Sequence, residues 1–590
     1  MSLEWSLSGL FESFEDPKFI EAFESCKTLA GDHNRAIEDI LKLEDPKEVI
    51  KAYLNQSMAV RQAFACISSF ANLSFSTDSA NKDALKYINQ LQGLGSQMVK
   101  GGVLFQKWLS NLKNLDQILD QDDFLKEHKA MLEQIVEKNK YSLDPQAETI
   151  ISQMRRTGAY SWDTLQKKTT SGITEEVEIK GEIKTLPLQS IRNLAFEKDQ
   201  ATRKAGYEAE MKAYKKHDYI SAAALNGIKG ESLTLCDLKG FESPLDQTLI
   251  NSRMSQATLD AMLSAIKDYL PKFRAYMRRK AELLGHSNGL PFYDVFAPVG
   301  KEDISYPYEE GKTLVLEQFK KYSDRLHDFA KRAFDNQWID VEPKKGKRGG
   351  AFCAQVMTLK ESRILLNYTG KLNNAITLAH ELGHAYHNEN MFQGAMLNVG
   401  APMPLAETAS IFCETIVKKA AIEAASPQAA MGILEVAIQG YNQVIVDIYA
   451  RFLFESALFE ARKNGPLSPD DICQLMLEAQ EASYGNGLTD VKHPYMWMNK
   501  VHYYMPSRDF YNFPYAFGLL FAKGLYGKYQ DMGDSFKPKF DELLASTGKM
   551  TVEEAAALLD IDVTDKAFWN QSLDVISEEI DAFITLSQQA

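Results

Sequence analysis

The stretch Asn373-Asn374-Ala375-Ile376-Thr377-Leu378-Ala379-His380-Glu381-Leu382-Gly383-His384 contains no proline, and Ile376, Leu378, Ala379 and Leu382 supply apolar faces at helical spacing. A helix is therefore expected across it. Two histidines four residues apart share a helix face with about 5–6 Å between their Cβ atoms, so His380 and His384 can reach one metal ion. Glu381 projects beside that ion, where a carboxylate can take a proton from water. Gly383 costs a helix about 1 kcal/mol relative to alanine, which suggests that bulk is unwelcome near the metal. The pattern is short enough to arise by chance, so a structural helix with satisfied histidines is the competing reading.

A tetrahedral catalytic zinc takes three protein ligands and keeps one position open. Beyond a Gly- and Met-rich loop, Gln393 to Pro404, the sequence Pro404-Leu405-Ala406-Glu407-Thr408-Ala409-Ser410 opens a second expected helix over 404–424, with the proline in its first turn. Glu407 would complete a His2Glu set that leaves Zn2+ net positive and able to acidify its water. Glu414, seven residues on, returns to the same helix face and is either an acceptor for a ligand histidine's ring N–H or an ordinary surface acid. His387 is expected to pack or hydrogen-bond nearby, since a fourth protein ligand would close the open position.

A second constellation runs from His502 to Gly518 and is dense in aromatic residues. Tyr511 and Tyr515, four apart, can aim their hydroxyls at one place, with His502 arriving from the preceding turn. Neutral donors of this kind stabilise the oxyanion formed when a carbonyl is attacked. Packing of an aromatic core is the competing reading.

Two short strands are expected within 350–368, immediately before the metal helix at 371–391. Such a hairpin is either an ordinary buried one or an edge that pairs with an extended peptide backbone. The basic run Lys344-Lys345-Gly346-Lys347-Arg348 ahead of it reads as a solvated loop, or as a steering patch for acidic substrate ends. Farther out, residues 16–160 read as helical, with long periodic stretches from Lys47 to Ala71 and from Asp78 to Asn111. Val177 to Lys184 alternates with period two, which predicts a half-buried hairpin near 174–185 with one exposed face. The expected division is an N-terminal helical region, 1–195, and a catalytic region, 196–590, with an irregular segment around Gly285 to Gly300.

The chain has 590 residues and a formal net charge of −14, which argues against a dedicated nucleic-acid binder. The opening residues lack both a basic residue and a sustained apolar run, and no stretch reaches the roughly 18 apolar residues of a membrane span. The six cysteines are scattered without C-x-x-C spacing and read as reduced thiols of a cytoplasmic protein. Short peptides are the expected partners, with no nucleic acid and no membrane, for a monomer or small homo-oligomer.

Taken in order, Trp5-Ser6-Leu7-Ser8-Gly9-Leu10-Phe11, Gly350-Ala351-Phe352-Cys353, Leu366-Asn367-Tyr368-Thr369-Gly370, the His380–His384 helix, Leu405 to Ser410, and His502, Tyr511 and Tyr515 resemble the M3 family of zinc metallopeptidases. The likeness is to its M3B, oligoendopeptidase F-like branch and runs essentially end to end. This resemblance implies a mainly α, two-lobed fold around a deep substrate channel, with small β-hairpins, one next to the active-site helix. It implies one Zn2+ held by His380, His384 and Glu407, with Glu381 as the catalytic acid/base and His502, Tyr511 and Tyr515 as transition-state donors. The activity implied is hydrolysis of internal bonds in short unfolded oligopeptides. Donor spacing varies between branches, so Tyr504 stays open as a stand-in. A helical zinc carboxypeptidase and a non-catalytic peptide-binding protein are the rival readings.

Overall fold

Helix α1 (Pro17–Ile40) shows how this sequence becomes helical. Asp16 caps it by accepting the Lys18 N–H, and Phe19, Phe23, Cys26, Ala30, His33 and Ile37 recur at alternating spacings of four and three along its buried face. The computed structural model describes residues 3–299 and 305–589. Helix α2 (Pro46–Thr77) covers the first long periodic stretch and is capped in the same way by Asp45. The stretch expected from Asp78 to Asn111 is instead two helices, α3 (Lys82–Gln97) and α4 (Val99–Ser110), broken at Met98. Glycines at 93, 95, 101 and 102 weaken a continuous helix there.

Strands β1 (Thr174–Ile179) and β2 (Glu182–Pro187) form the expected antiparallel hairpin, in register from Thr174 opposite Pro187 to Ile179 opposite Glu182. Its turn holds Lys180 at φ 52° and Gly181 at φ 83°, two consecutive left-handed residues whose twist suits a two-residue hairpin. Only β1 alternates between buried and exposed; β2 lies almost wholly in solvent, with Ile183 71% exposed.

The second sheet has the order β3-β5-β4, with β3 (Ile339–Asp340) parallel to β5 (Glu361–Leu365) and β4 (Phe352–Val356) antiparallel to it at the edge. The opening segment straps this sheet. Ser6 N–H donates to the Gln337 carbonyl, Val341 N–H to the Leu3 carbonyl and Arg363 Nε to the Ser6 carbonyl. Trp5, Leu10 and Phe11 join Phe19, Ile67 and Phe70 in a core that also takes Val356 and Leu365. In the basic run before β4, Lys344, Lys345 and Arg348 are exposed, as a solvated loop requires, while Lys347 is drawn into this clamp. Lys347 is buried against Asp340 at 2.6 Å, and Lys344 pairs with Glu4 at 2.8 Å.

The main core gathers apolar faces from most of the remaining helices. Among them are α5 (Asp218–Lys239), α6 (Leu372–Met391), α7 (Thr408–Ala424), α8 (Pro427–Asn442), α9 (Ile448–Arg462), α10 (Phe513–Met532) and α11 (Lys566–Gln589). The fold is mainly α with two small sheets, and no helix among the described residues is long and apolar enough to cross a membrane. All six cysteines are free.

Candidate metal centre

Helix α6 starts where Asn374 Oδ1 accepts the backbone N–H groups of Thr369 and Lys371, and it directs His380 and His384 the same way, with ring centroids 4.9 Å apart. The second helix starts later than 404. Met403–Leu405 forms one 3-10 turn, and Glu407 is the residue just before α7, with φ −90° and ψ 3°. From there Glu407 Oε2 lies 3.4 Å from His380 Nε2 and 3.3 Å from His384 Nε2, and Ser410 Oγ donates to the same oxygen at 2.8 Å. Among the described residues these three are the His, Cys or carboxylate group whose ligand atoms converge as a metal site requires, all within 4.8 Å of one another.

The close packing of α6 on α7 explains Gly383. A Cβ there would sit 2.5 Å from the Ala409 carbonyl oxygen and 2.6 Å from Ser410 Cα. Bulk is excluded by the backbone of the neighbouring helix, not by the metal position as the sequence suggested. Gly518 plays the same part on α10, where a Cβ would meet that of Glu407 at 2.9 Å.

The charges around the group favour a cation. His380 Nδ1 lies 3.1 Å from Glu414 Oε2, and Glu414 Oε1 accepts from Lys418 Nζ at 2.6 Å. Burial opposes a positive charge on His380, but its contacts with Glu407 and Glu414 outweigh it and push the imidazole up to about 10. Burial opposes the Glu407 carboxylate as well, yet the two histidines hold it well below the usual range. Glu381 is 5% exposed, its Oε2 has no hydrogen-bond partner, and burial raises its pKa against the pull of His380 and His384. A raised, unpartnered carboxyl beside a cation site is poised to exchange a proton. His387 turns away, with Nε2 2.8 Å from Thr547 Oγ1.

A cavity of about 590 Å3 opens at this group, lined by His380, Glu381 and Glu407, by Ala351 just before β4, by Ile376, Ile433 and Val436, and by Tyr515. Tyr515 stands on the first turn of α10, and burial together with its neighbour Tyr511 pushes its hydroxyl up to about 12, so it remains a proton donor at neutral pH. Tyr511 lies in the loop before α10, its ring 6.1 Å from that of Tyr515 and 4.9 Å from that of His502. The three donor candidates are thus brought together. Of the three, only Tyr515 lines the cavity, with Tyr511 packed next to it and His502 next to Tyr511, whereas Tyr504 is 1% exposed in the core. Ser410, Lys418 and Gly518 escaped the sequence reading. Only Lys418, four residues after Glu414, left a readable signal.

The sequence profile of peptidase family M3 matches residues 193–574, and an N-terminal profile described as oligopeptidase F matches residues 111–174. An oligoendopeptidase F homolog of Lactococcus lactis is 23% identical over 492 residues, covering 81% of this chain and 78% of its own. Oligopeptidase PepF of Bacillus subtilis is 20% identical over 586 residues, covering 98% and 86%. In fold, a candidate peptidase from Chlamydophila abortus superposes with a TM-score of 0.86 at 19% identity over 99% of both chains. Oligoendopeptidase-F from Enterococcus faecium does so with 0.72 at 17% identity, over 97% of this chain and 100% of its own.

Proposed function

The chain belongs to peptidase family M3, and on that premise we propose that His380, His384 and Glu407 hold one Zn2+, that Glu381 is the general base, and that Tyr515, with Tyr511 and His502, is the oxyanion donor. The protein is a metalloendopeptidase acting on oligopeptides. One observation carries the assignment of the ligands: the Glu407 oxygen lies 3.3 and 3.4 Å from the two histidine nitrogens. Tetrahedral ligands at zinc bond lengths of roughly 2.0–2.1 Å stand about 3.3 Å from one another, which both Glu407–histidine distances match.

Zn2+ bound there supplies a Lewis acid that acidifies water and polarises the scissile carbonyl. Glu381 Oε2 takes the proton of the attacking water, and the same carboxyl delivers it to the departing amine. One water is consumed; its oxygen ends in the new carboxylate, one of its protons is carried by Glu381 to the leaving nitrogen, and the other is lost from the new carboxyl group and ends on the amine, which leaves as an ammonium. The Tyr515 hydroxyl donates to the oxyanion that develops between these steps, an interaction stronger in the transition state than in the substrate. Strand β4 pairs on one side only with β5, and Ala351 just before it lines the cavity, so the free edge suits an extended substrate backbone of little sequence demand. We extend this to a deep channel between two lobes that admits short unfolded peptides, and to a division of the chain near residue 195. Six free thiols suit a reducing compartment, which supports a cytoplasmic location.

Internally quenched peptides blocked at both ends test the reading. Cleavage that stops with chelator and returns with Zn2+ is expected. Blocked peptides left intact while free ones lose terminal residues would overturn the endopeptidase assignment.

A further inference from the structure

The loop from Met505 to Asn512 carries the donor Tyr511 into α10, and its backbone is not one that these residues choose freely. Ser507 and Phe510 adopt left-handed conformations, with φ 64° and 50°, although neither is glycine. Such residues persist where their surroundings over-determine them. Between them lies Asp509, 5% exposed. Its Oδ1 accepts from Lys229 Nζ at 2.7 Å, its Oδ2 from Ser232 Oγ, and its backbone carbonyl from Thr248 Oγ1 at 2.8 Å. Lys229 and Ser232 lie three residues apart on one face of α5, and Thr248 is on the short helix Pro244–Ser252. Lys229 is fully buried and also donates to Glu455 Oε1 on α9 at 2.7 Å. One turn earlier on α9, Arg451 donates to Asn512 Oδ1 at 3.2 Å, at the end of the loop. Phe510 packs against Phe452 and Phe459 of the same helix, with ring centroids 5.4 and 5.6 Å away.

A buried ion cluster is weak evidence for stability, because desolvation offsets most of its attraction; its better-attested use is to fix one arrangement among several. From this geometry we infer that Asp509 is a positioning residue of the reaction: through Lys229, Ser232 and Thr248 it holds the donor loop in the one conformation that sets Tyr511 beside Tyr515, which lines the metal cavity. The inference rests on the reading of these tyrosines as oxyanion donors. Asp509 touches no reacting atom. Its effect is on where the donors stand when charge develops, and so on kcat more than on substrate binding.

The zinc-loaded full chain and its Asp509→Asn variant are compared on a blocked quenched peptide for kcat and KM, for affinity toward a phosphinic peptide that mimics the tetrahedral transition state, and for zinc content. Expected are parallel falls of about ten- to a hundredfold in kcat and in phosphinic-peptide affinity, with KM and zinc content unchanged. An unaltered kcat overturns the inference, and so does a fall in kcat with full phosphinic-peptide affinity. Ser232→Ala keeps the charged pair and serves if Asp509→Asn fails to fold; it should move the same two quantities together by a smaller factor, and no change in either overturns the inference. Tyr511→Phe and Tyr515→Phe separate the two readings. Full activity in both overturns the donor reading and the anchor with it, whereas reduced activity in either beside an unaltered Asp509→Asn overturns the anchor alone.

Discussion

Helices α6 and α7 line the cavity themselves, whereas the loop Met505 to Asn512 leads into α10, whose Tyr515 lines it, and the two regions are built differently. On the metal side, His380, Glu381 and His384 are placed by helical periodicity, and Glu407 arrives because α7 packs on α6 without intervening bulk at Gly383. On the donor side, Tyr511 is placed by a loop with two left-handed residues, pinned by side chains more than 250 positions away in sequence, among them Lys229 and Thr248. Local geometry can set the first half once two helices dock. The second half exists only after α5, α9 and the short helix at Pro244–Ser252 have assembled around Asp509.

The largest effects are expected on the metal side. Glu381→Gln should lower kcat by about a hundred- to ten-thousandfold while zinc content, read by elemental analysis, stays the same. Near-full activity would remove the base from this half of the site. Gly383→Ala comes next, because its Cβ would meet backbone and not a flexible side chain. We expect thermal unfolding to report a loss of about 1–3 kcal/mol, accompanied by weaker zinc retention on dialysis. Glu414→Gln should keep the fold and weaken zinc about ten- to a hundredfold in competition with a chelator, since it leaves His380 Nδ1 without its charged partner. The smallest effect is expected from Gly518→Ala, whose Cβ would press on a side-chain carbon of Glu407 at 2.9 Å. A loss of less than about tenfold in kcat/KM with little change in stability would show that α10 can yield where α7 cannot.

The hairpins carry the same lesson in a milder form. Alternation in Val177 to Lys184 was legible, and the hairpin is there, but both strands read as half-buried while β2 lies in solvent. Alternation reveals a strand's two faces; whether anything covers one of them depends on the neighbours. Likewise Trp5 to Phe11 read only as a family likeness, and its task as a strap over the β4–β5 sheet emerged from hydrogen bonds to Gln337 and Arg363 far along the chain. Lys344 to Arg348 is a solvated basic run except at Lys347, whose burial against Asp340 cannot be read from charge order.

By itself, the sequence determined the helical periodicity, the spacing that sets His380 and His384 on one face with Glu381 beside them, the carboxylate available at Glu407, and the tyrosine pair four residues apart. These are one-dimensional properties, because a helix converts spacing directly into direction. The tertiary structure decided that Gly383 and Gly518 exist for helix contact, that Glu414 is tied to Lys418 behind His380, that Tyr504 is core while Tyr515 faces the cavity, and that Asp509 anchors the donor loop. The reason is physical. Close approach, burial and ion pairing arise between segments distant in sequence, and their energies take effect only when the whole core has excluded water around them.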